Sequence, residues 1–310
     1  GYDIFDKLQD RPIDINGYQP LNYDKRFRGE VTMFDALVHS YNVPPVWLLQ
    51  KMGVKYGVNA VERFGIPLEE EDQTAGMTLG GLHKGVSPLT MAQAYSTFAN
   101  KGVRINAHSI TRIEDAEGKV IAQWKNHAIK VTDPEVTEKM TYMLKGVVEE
   151  GTGKNAKVSG WDIAGKTGTT ELPFANEAGT KDHWFVGYSP EMVGAVWMGY
   201  DQTDENHFLT TSSSSTVTIL FKEIFSRSSS VFTEKEFDLS SIERKYRDAR
   251  KEEEEDEDEK EDEEEENEDD EKEREKEERE REKEQKEKEK EREKEQKERE
   301  KEKKKGKNDD

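Results

Sequence analysis

No apolar side chain occurs between Lys251 and Asp310. That stretch cannot enter a hydrophobic core, because ordering each residue costs about 1–2 kcal/mol and no burial offsets it. Any folded domain must be built from what precedes it. The stretch holds 35 acidic and 20 basic residues and so carries −15 of the formal net charge of −21. Acidic blocks run from Glu252 to Asp270, and Glu then nearly alternates with Lys or Arg from Glu271 to Lys303. On a helix, strict alternation sets like charges at i,i+4 and opposite charges at i,i+3, effects of about 0.2–0.5 kcal/mol per pair that largely cancel. With no apolar face to dock, the segment reads as a disordered tail with transient helix. Its net negative charge argues against nucleic acid as a partner. The organisation that follows is a globular domain over residues 1–232, a linker over 233–250 and a charged tail over 251–310.

With the tail set aside, the globular part is only mildly acidic, so the low overall pI says nothing about a binding cleft. The absence of cysteine excludes thiol catalysis, disulfides and thiolate metal sites. Six scattered histidines form no His-x-x-x-His pair, so neither a metal centre nor a cofactor is expected. No run of 18 apolar residues marks a membrane span.

Residues 1–30, rich in Asp, Pro, Gly and Asn, read as an extended, loop-rich segment packed over the domain. Short helices are predicted over 32–39, 46–52 and 56–64, the last two closed by Gly53 and Gly65. Ser87 as N-cap, Pro88 at the first position and Gly102 past the end frame a further helix. Its apolar residues cover most of the circumference, which predicts a buried helix. Segments 103–112 and 119–124 flank Glu114–Gly118 and read as a hairpin or strand–loop–strand. Asp133-Pro134 opens a capped amphipathic helix that Gly151 ends. Strands are predicted from Trp161 onward and over 183–188 and 192–200, the last two antiparallel across Ser189-Pro190. A final helix is expected over 216–225. This order gives an α+β fold, helices packed on an antiparallel sheet.

One segment carries chemistry. In Ile163-Ala164-Gly165-Lys166-Thr167-Gly168-Thr169-Thr170, β-formers and small residues surround one lysine, with no acidic residue. On a strand, Lys166 offers a cation and Thr167 a hydroxyl, while Gly168 lets a peptide-like ligand lie against the edge. Upstream, Ser40-Tyr41-Asn42 sets a serine and an asparagine two residues apart on a helix-to-helix connection. Ser-x-Asn followed at a distance by Lys-Thr-Gly makes two of the three motifs of serine penicillin-recognising enzymes. Longer segments agree, among them Gly17-Tyr18-Gln19-Pro20-Leu21-Asn22-Tyr23-Asp24 and Gly85-Val86-Ser87-Pro88-Leu89-Thr90-Met91-Ala92. So do Phe98-Ala99-Asn100-Lys101-Gly102 and Asp182-His183-Trp184-Phe185-Val186-Gly187-Tyr188. Over roughly residues 1–225 the chain resembles the transpeptidase domain of the bifunctional (class A) penicillin-binding proteins.

The resemblance implies an α+β fold of the penicillin-binding protein transpeptidase and serine β-lactamase type. It implies D,D-transpeptidase activity that crosslinks cell-wall peptides through a serine acyl-enzyme. It assigns Ser40 to proton relay, Asn42 to the amide of the acyl donor and Lys166 to the positive potential of the cleft. Thr167 and Thr169 would hold the donor carboxylate, Gly168 would allow close approach, and the Thr169 N–H would serve the oxyanion. The implied partners are peptidoglycan stem peptides and β-lactams. The implied location is the extracytoplasmic face of the bacterial cell membrane, reached through an anchor upstream of Gly1. The third family motif, Ser-x-x-Lys, has no match, since no serine here has lysine three residues later. Ser109 and Ser241 carry arginine there, Arg112 and Arg244. The chain is therefore expected to begin past its nucleophile and to be inactive alone. Two other readings stay open: a serine β-lactamase or β-lactam sensor, and a non-catalytic scaffold presenting the charged tail. The spacing between the two motifs and the segment Asp182–Tyr188 favour the transpeptidase. His183 reads as a packed or exposed histidine, and Tyr41 as packing.

Overall fold

Alternation along one strand builds the centre of this protein. Phe185 and Tyr188 lie on opposite faces of the same strand, and both are fully buried, so each face must be covered by its own layer. The computed structural model describes residues 2–172, 174, 179–233, 235–247 and 249. In chain order the elements are β1 (Lys7–Asp10), β2 (Gly29–Thr32), α1 (Met33–Val38), α2 (Val43–Met52), α3 (Val54–Arg63) and α4 (Pro88–Ala99). There follow β3 (Val103–Ile105), β4 (Arg112–Glu114), β5 (Val120–Gln123), β6 (Ala128–Lys130) and α5 (Pro134–Glu149). The last are β7 (Ala164–Glu171), β8 (Thr180–Tyr188), β9 (Val193–Gly199) and α6 (Val217–Ser228).

The central sheet is antiparallel in the order β7-β8-β9, with Lys166 opposite Val186 and Thr167 opposite Phe185. On one face, Leu144 of α5 and Tyr95, Phe98 and Ala99 of α4 pack with Ala164 and Tyr188. On the other, Val217, Phe221 and Phe225 of α6 pack with Ile163, Phe185 and Val148. The fold is thus α+β, as the order of predicted elements implies.

Sequence punctuation and structure agree closely at α4. The Ser87 hydroxyl accepts the Thr90 N–H at 3.1 Å, Pro88 occupies the first turn, and Gly102 follows the end at positive φ. Ser87→Ala should cost about 1 kcal/mol, a fall in melting temperature of about 2–4 °C by thermal denaturation. The burial expected all round this helix is not found, since only Ala94 and Thr97 are buried and Leu89 is exposed. Small residues widen the apolar arc without requiring a partner on every side. At α5, Asp133 precedes the helix but does not cap it, and its carboxylate pairs with Lys130 at 2.6 Å instead.

The predicted hairpin is real at its tip and different at its base. β4 pairs with β5 around a turn closed by the Asp115 carboxylate, whereas β3 pairs with the later β6. Residues 1–30, read as extended and loop-rich, carry β1 and the start of β2, which pair as a two-stranded ribbon.

The chain divides into two units after Lys245, and the second falls almost wholly outside the described residues. The charged tail over 251–310 lies outside them entirely. The first unit extends past residue 232. The stretch read as a linker contributes Leu239 and Ile242, both buried, and Phe237, whose ring meets Tyr188 edge-on at 5.5 Å. Asp162 fastens this strap: its N–H donates to the Lys235 carbonyl at 2.7 Å, and its carboxylate accepts the Phe237 N–H at 3.1 Å. Three well-spaced apolar side chains suffice to dock a strap whose average composition is polar.

Candidate active site

Two segments far apart in sequence meet because two glycines allow it. A Cβ on Gly146 of α5 would press on the Phe34 ring at 2.8 Å, and one on Gly151 would fall on the Val38 carbonyl oxygen. Their absence lets α1 lie close against the end of α5. The Val38 carbonyl then accepts the Thr152 N–H at 3.3 Å. The residues just after α1 are thereby set beside the turn that leads into β7.

Those residues are Ser40, Tyr41 and Asn42. The chain leaves α1 with Tyr41 N–H bonded to Ala36 O and Ser40 N–H bonded to Leu37 O, a paired closure that puts Ser40 in the left-handed region at φ 60°. Glycine is the usual residue there, because a Cβ at positive φ costs about 1 kcal/mol. A serine held at that cost presents its hydroxyl in one direction. The direction is toward β7, where the Lys166 ammonium donates to Ser40 Oγ at 2.7 Å.

Lys166 also donates to the Thr167 carbonyl at 3.3 Å. Its side chain is half-buried, and burial pushes the ammonium down to about 8, with no carboxylate beside it among the described residues to offset this. An amine near neutrality in contact with a hydroxyl is suited to moving protons. β7 is an edge strand among the described residues, so the side away from β8 is open to a ligand.

The threonines that flank Gly168 each have a hydroxyl neighbour. Thr167 Oγ1 lies 2.7 Å from Thr152 Oγ1, and Thr169 Oγ1 lies 2.9 Å from Ser213 Oγ. Each neighbour can donate to its threonine and leave that threonine's proton for an anion. Sequence motifs did not single out Thr152 or Ser213. Their only signals are the position of Thr152 between two glycines and the serine run 212–215. A Cβ at Gly168 would come within 3.1 Å of Trp184 Cβ, so packing across the sheet already favours glycine there.

Asn42 stands at the N-terminus of α2 without capping it, and its Nδ2 donates to the Leu21 carbonyl at 2.8 Å. His183 is a buried, satisfied histidine. Its two ring nitrogens contact Thr180 Oγ1 at 2.7 Å and Thr216 Oγ1 at 3.3 Å, and burial holds its pKa down. Among the described residues no group of three or more acidic or histidine side chains could hold a metal, and no helix is long and apolar enough to cross a membrane.

Residues 5–226, which include every element of this site, match the family described as the penicillin binding protein transpeptidase domain. The chain belongs to that family. Relatives of this transpeptidase domain include penicillin-binding protein 1F of Bacillus subtilis, 44% identical over 220 residues, which covers 71% of this chain and 30% of the relative. Penicillin-binding protein 2a of Streptococcus pneumoniae is 40% identical over 227 residues, covering 72% of this chain and 30% of the relative. The chain thus spans about 30% of the length of the curated relatives it matches. Among solved structures, the penicillin-binding protein PonA1 from Mycobacterium tuberculosis superposes with a TM-score of 0.68 at 23% identity, over 76% of this chain and 66% of that one. The D,D-transpeptidase domain of a peptidoglycan glycosyltransferase from Eggerthella lenta gives 0.60 at 21% identity, over 74% and 61%. At those identities the likeness shows the fold alone.

Proposed function

We propose that this chain supplies the proton-relay and carboxylate-binding part of a peptidoglycan D,D-transpeptidase site. Its nucleophile comes from a Ser-x-x-Lys segment upstream. The observation that carries the reading is the 2.7 Å contact between Lys166 and Ser40, residues 126 positions apart. The donor is a stem peptide ending in D-Ala-D-Ala. The nucleophilic serine oxygen attacks the carbonyl between the two D-alanines, the C–N bond breaks, and the terminal D-alanine leaves as its amine. Ser40 passes the proton that this amine takes up. An acceptor amine then attacks the acyl-enzyme carbonyl and loses a proton by the same relay.

Lys166 holds positive potential over the cleft, which favours the anion developing in the transition state. Thr167 and Thr169 donate to the terminal carboxylate of the donor, and Asn42 holds its side-chain amide. The Thr169 N–H is one of the two oxyanion donors. A β-lactam occupies the same place with its own carboxylate. One of the solved PonA1 structures is described as a complex with penicillin V, which supports β-lactams as ligands of this fold. The working location is the extracytoplasmic face of the bacterial membrane.

The test is labelling with a fluorescent penicillin. The chain alone should form no covalent adduct, because no serine in it carries lysine three residues later. The chain joined to an N-terminal segment bearing Ser-x-x-Lys should label stoichiometrically. An adduct on the chain alone, mapped to one serine by mass spectrometry, would overturn this assignment of the nucleophile.

A further inference from the structure

The Ser40–Asn42 turn is held from outside by a buried polar cluster. Asn22 is only 3% exposed and Asp10 not at all. Asn22 Oδ1 accepts two backbone N–H groups, those of Asn42 at 2.9 Å and Val43 at 3.3 Å. These are among the orphan donors at the N-terminus of α2. Asn42 makes no capping bond, because the positions an N-cap side chain serves are Pro44 and Pro45, which carry no N–H. The N–H groups of Asn42 and Val43 are met instead by a residue about 20 positions earlier, while the Asn42 amide donates to the Leu21 carbonyl.

Asn22 is in turn fully committed. Its Nδ2 donates to both carboxylate oxygens of Asp10, at 2.8 and 3.0 Å, and to the Arg26 carbonyl at 2.7 Å. An inverted amide would face its NH2 group toward two N–H donors, so the chemistry selects one orientation. Asp10 also accepts the Arg28 N–H at 3.0 Å. The Arg28 guanidinium, bonded to Asp24, lies over the Tyr41 ring at 4.0 Å. Tyr41, Asn42 and Val43 are thus each gripped by the segment 10–28.

We propose that Asn22 and Asp10 are positioning residues that clamp the Ser40–Asn42 turn so that Ser40 Oγ stays on the Lys166 ammonium. A turn with serine in a left-handed conformation would otherwise relax, because the strain at Ser40 falls when its neighbours can move. The clamp gives two buried polar side chains a role at an α2 terminus where Pro44 and Pro45 leave no N–H for the Asn42 side chain to cap. The inference deepens the transpeptidase reading and rests on it for its functional meaning, but the clamp itself can be measured without substrate.

The experiment compares Asn22→Ala, Asp10→Asn and the exchanged pair Asp10→Asn/Asn22→Asp in this chain. In the exchanged pair the new carboxylate still accepts both N–H groups of the turn, and the new amide still donates to it. The readouts are amide hydrogen exchange at Asn42 and Val43 and NMR titration of the Lys166 side chain. Asn22→Ala should speed exchange at Asn42 and Val43 at least tenfold. It should move the Lys166 titration upward by about one pH unit as water reaches the amine. Exchange at Phe185 and Val186 in the central sheet should stay the same. The exchanged pair should restore both readouts in part, since the Arg26 carbonyl then faces a carboxylate in place of the Asn22 NH2. Should Asn22→Ala prove too unstable to study, Asp10→Asn should show the same pattern in weaker form.

Unchanged Lys166 titration in a folded variant would overturn the clamp, as would faster exchange spread evenly over the sheet. Penicillin acylation, measured on the chain joined to a Ser-x-x-Lys segment, separates the two claims. A clamp that holds in exchange and titration while wild-type acylation fails would overturn the transpeptidase reading and leave the clamp standing.

Discussion

Lys166→Met should abolish penicillin acylation in the chain joined to a Ser-x-x-Lys segment and, at the same time, raise the melting temperature. The two effects have one cause. The amine titrates near 8 in the folded protein and near 10.5 in the unfolded chain. Between those values the unfolded state binds more protons, so stability rises with pH across that window. Below pH 8 the full penalty of holding the charge in the site is present. Allowing for partial exposure, it is about 1–3 kcal/mol. Methionine keeps most of the volume and removes the charge, so the variant should melt several degrees higher at pH 7, with the gain shrinking as pH rises above about 8 and mostly gone by about pH 10. Acylation should fall by at least about a thousandfold, the scale of losing a preorganised charge at a developing anion. Thermal melts at pH 7 and pH 10, with a penicillin acylation time course, check both. A lower melting temperature would make Lys166 a structural residue.

Ser40→Gly and Ser40→Ala should both lose acylation, by about a hundredfold to ten-thousandfold, because each removes the relay hydroxyl. Their stabilities should differ. Both lose the hydroxyl bond to Lys166, but at φ 60° glycine carries no Cβ penalty, whereas alanine keeps it. Ser40→Gly should therefore melt higher than Ser40→Ala, by about 1 kcal/mol or 2–4 °C. Equal stabilities would mean that the left-handed turn is not held in solution. The pairing of higher stability with lost activity is what a strained functional residue predicts.

The structure joins Lys166 to Ser40 and gives Thr167 and Thr169 hydroxyl partners, while the Asn42 amide meets the Leu21 carbonyl, and the motifs alone place none of these contacts. Ser-x-Asn and Lys-Thr-Gly are local signals. Their contact depends on Gly146 and Gly151, whose missing side chains let α1 reach the end of α5. The hydroxyl partners Thr152 and Ser213 and the clamp at Asn22 and Asp10 are likewise contacts between distant parts of the chain. Asn22 lies in a segment whose likeness to the family was visible, but nothing in a linear pattern says which backbone groups its amide would meet.

What the sequence determined by itself is local or compositional. The absence of apolar side chains after Arg250 confines the core to the preceding residues, because burial is the main favourable term and none is available there. Ser87, Pro88 and Gly102 bound their helix through caps that act within one turn. Ser189-Pro190 between two predicted strands fixes their antiparallel pairing. What only the tertiary structure decided is non-local. It pairs β3 with β6 rather than with its neighbour in sequence. It docks residues 235–242 as a strap through Asp162. It lowers the pKa of Lys166, because the burial of one amine is set by everything packed around it and by no property of the strand that carries it.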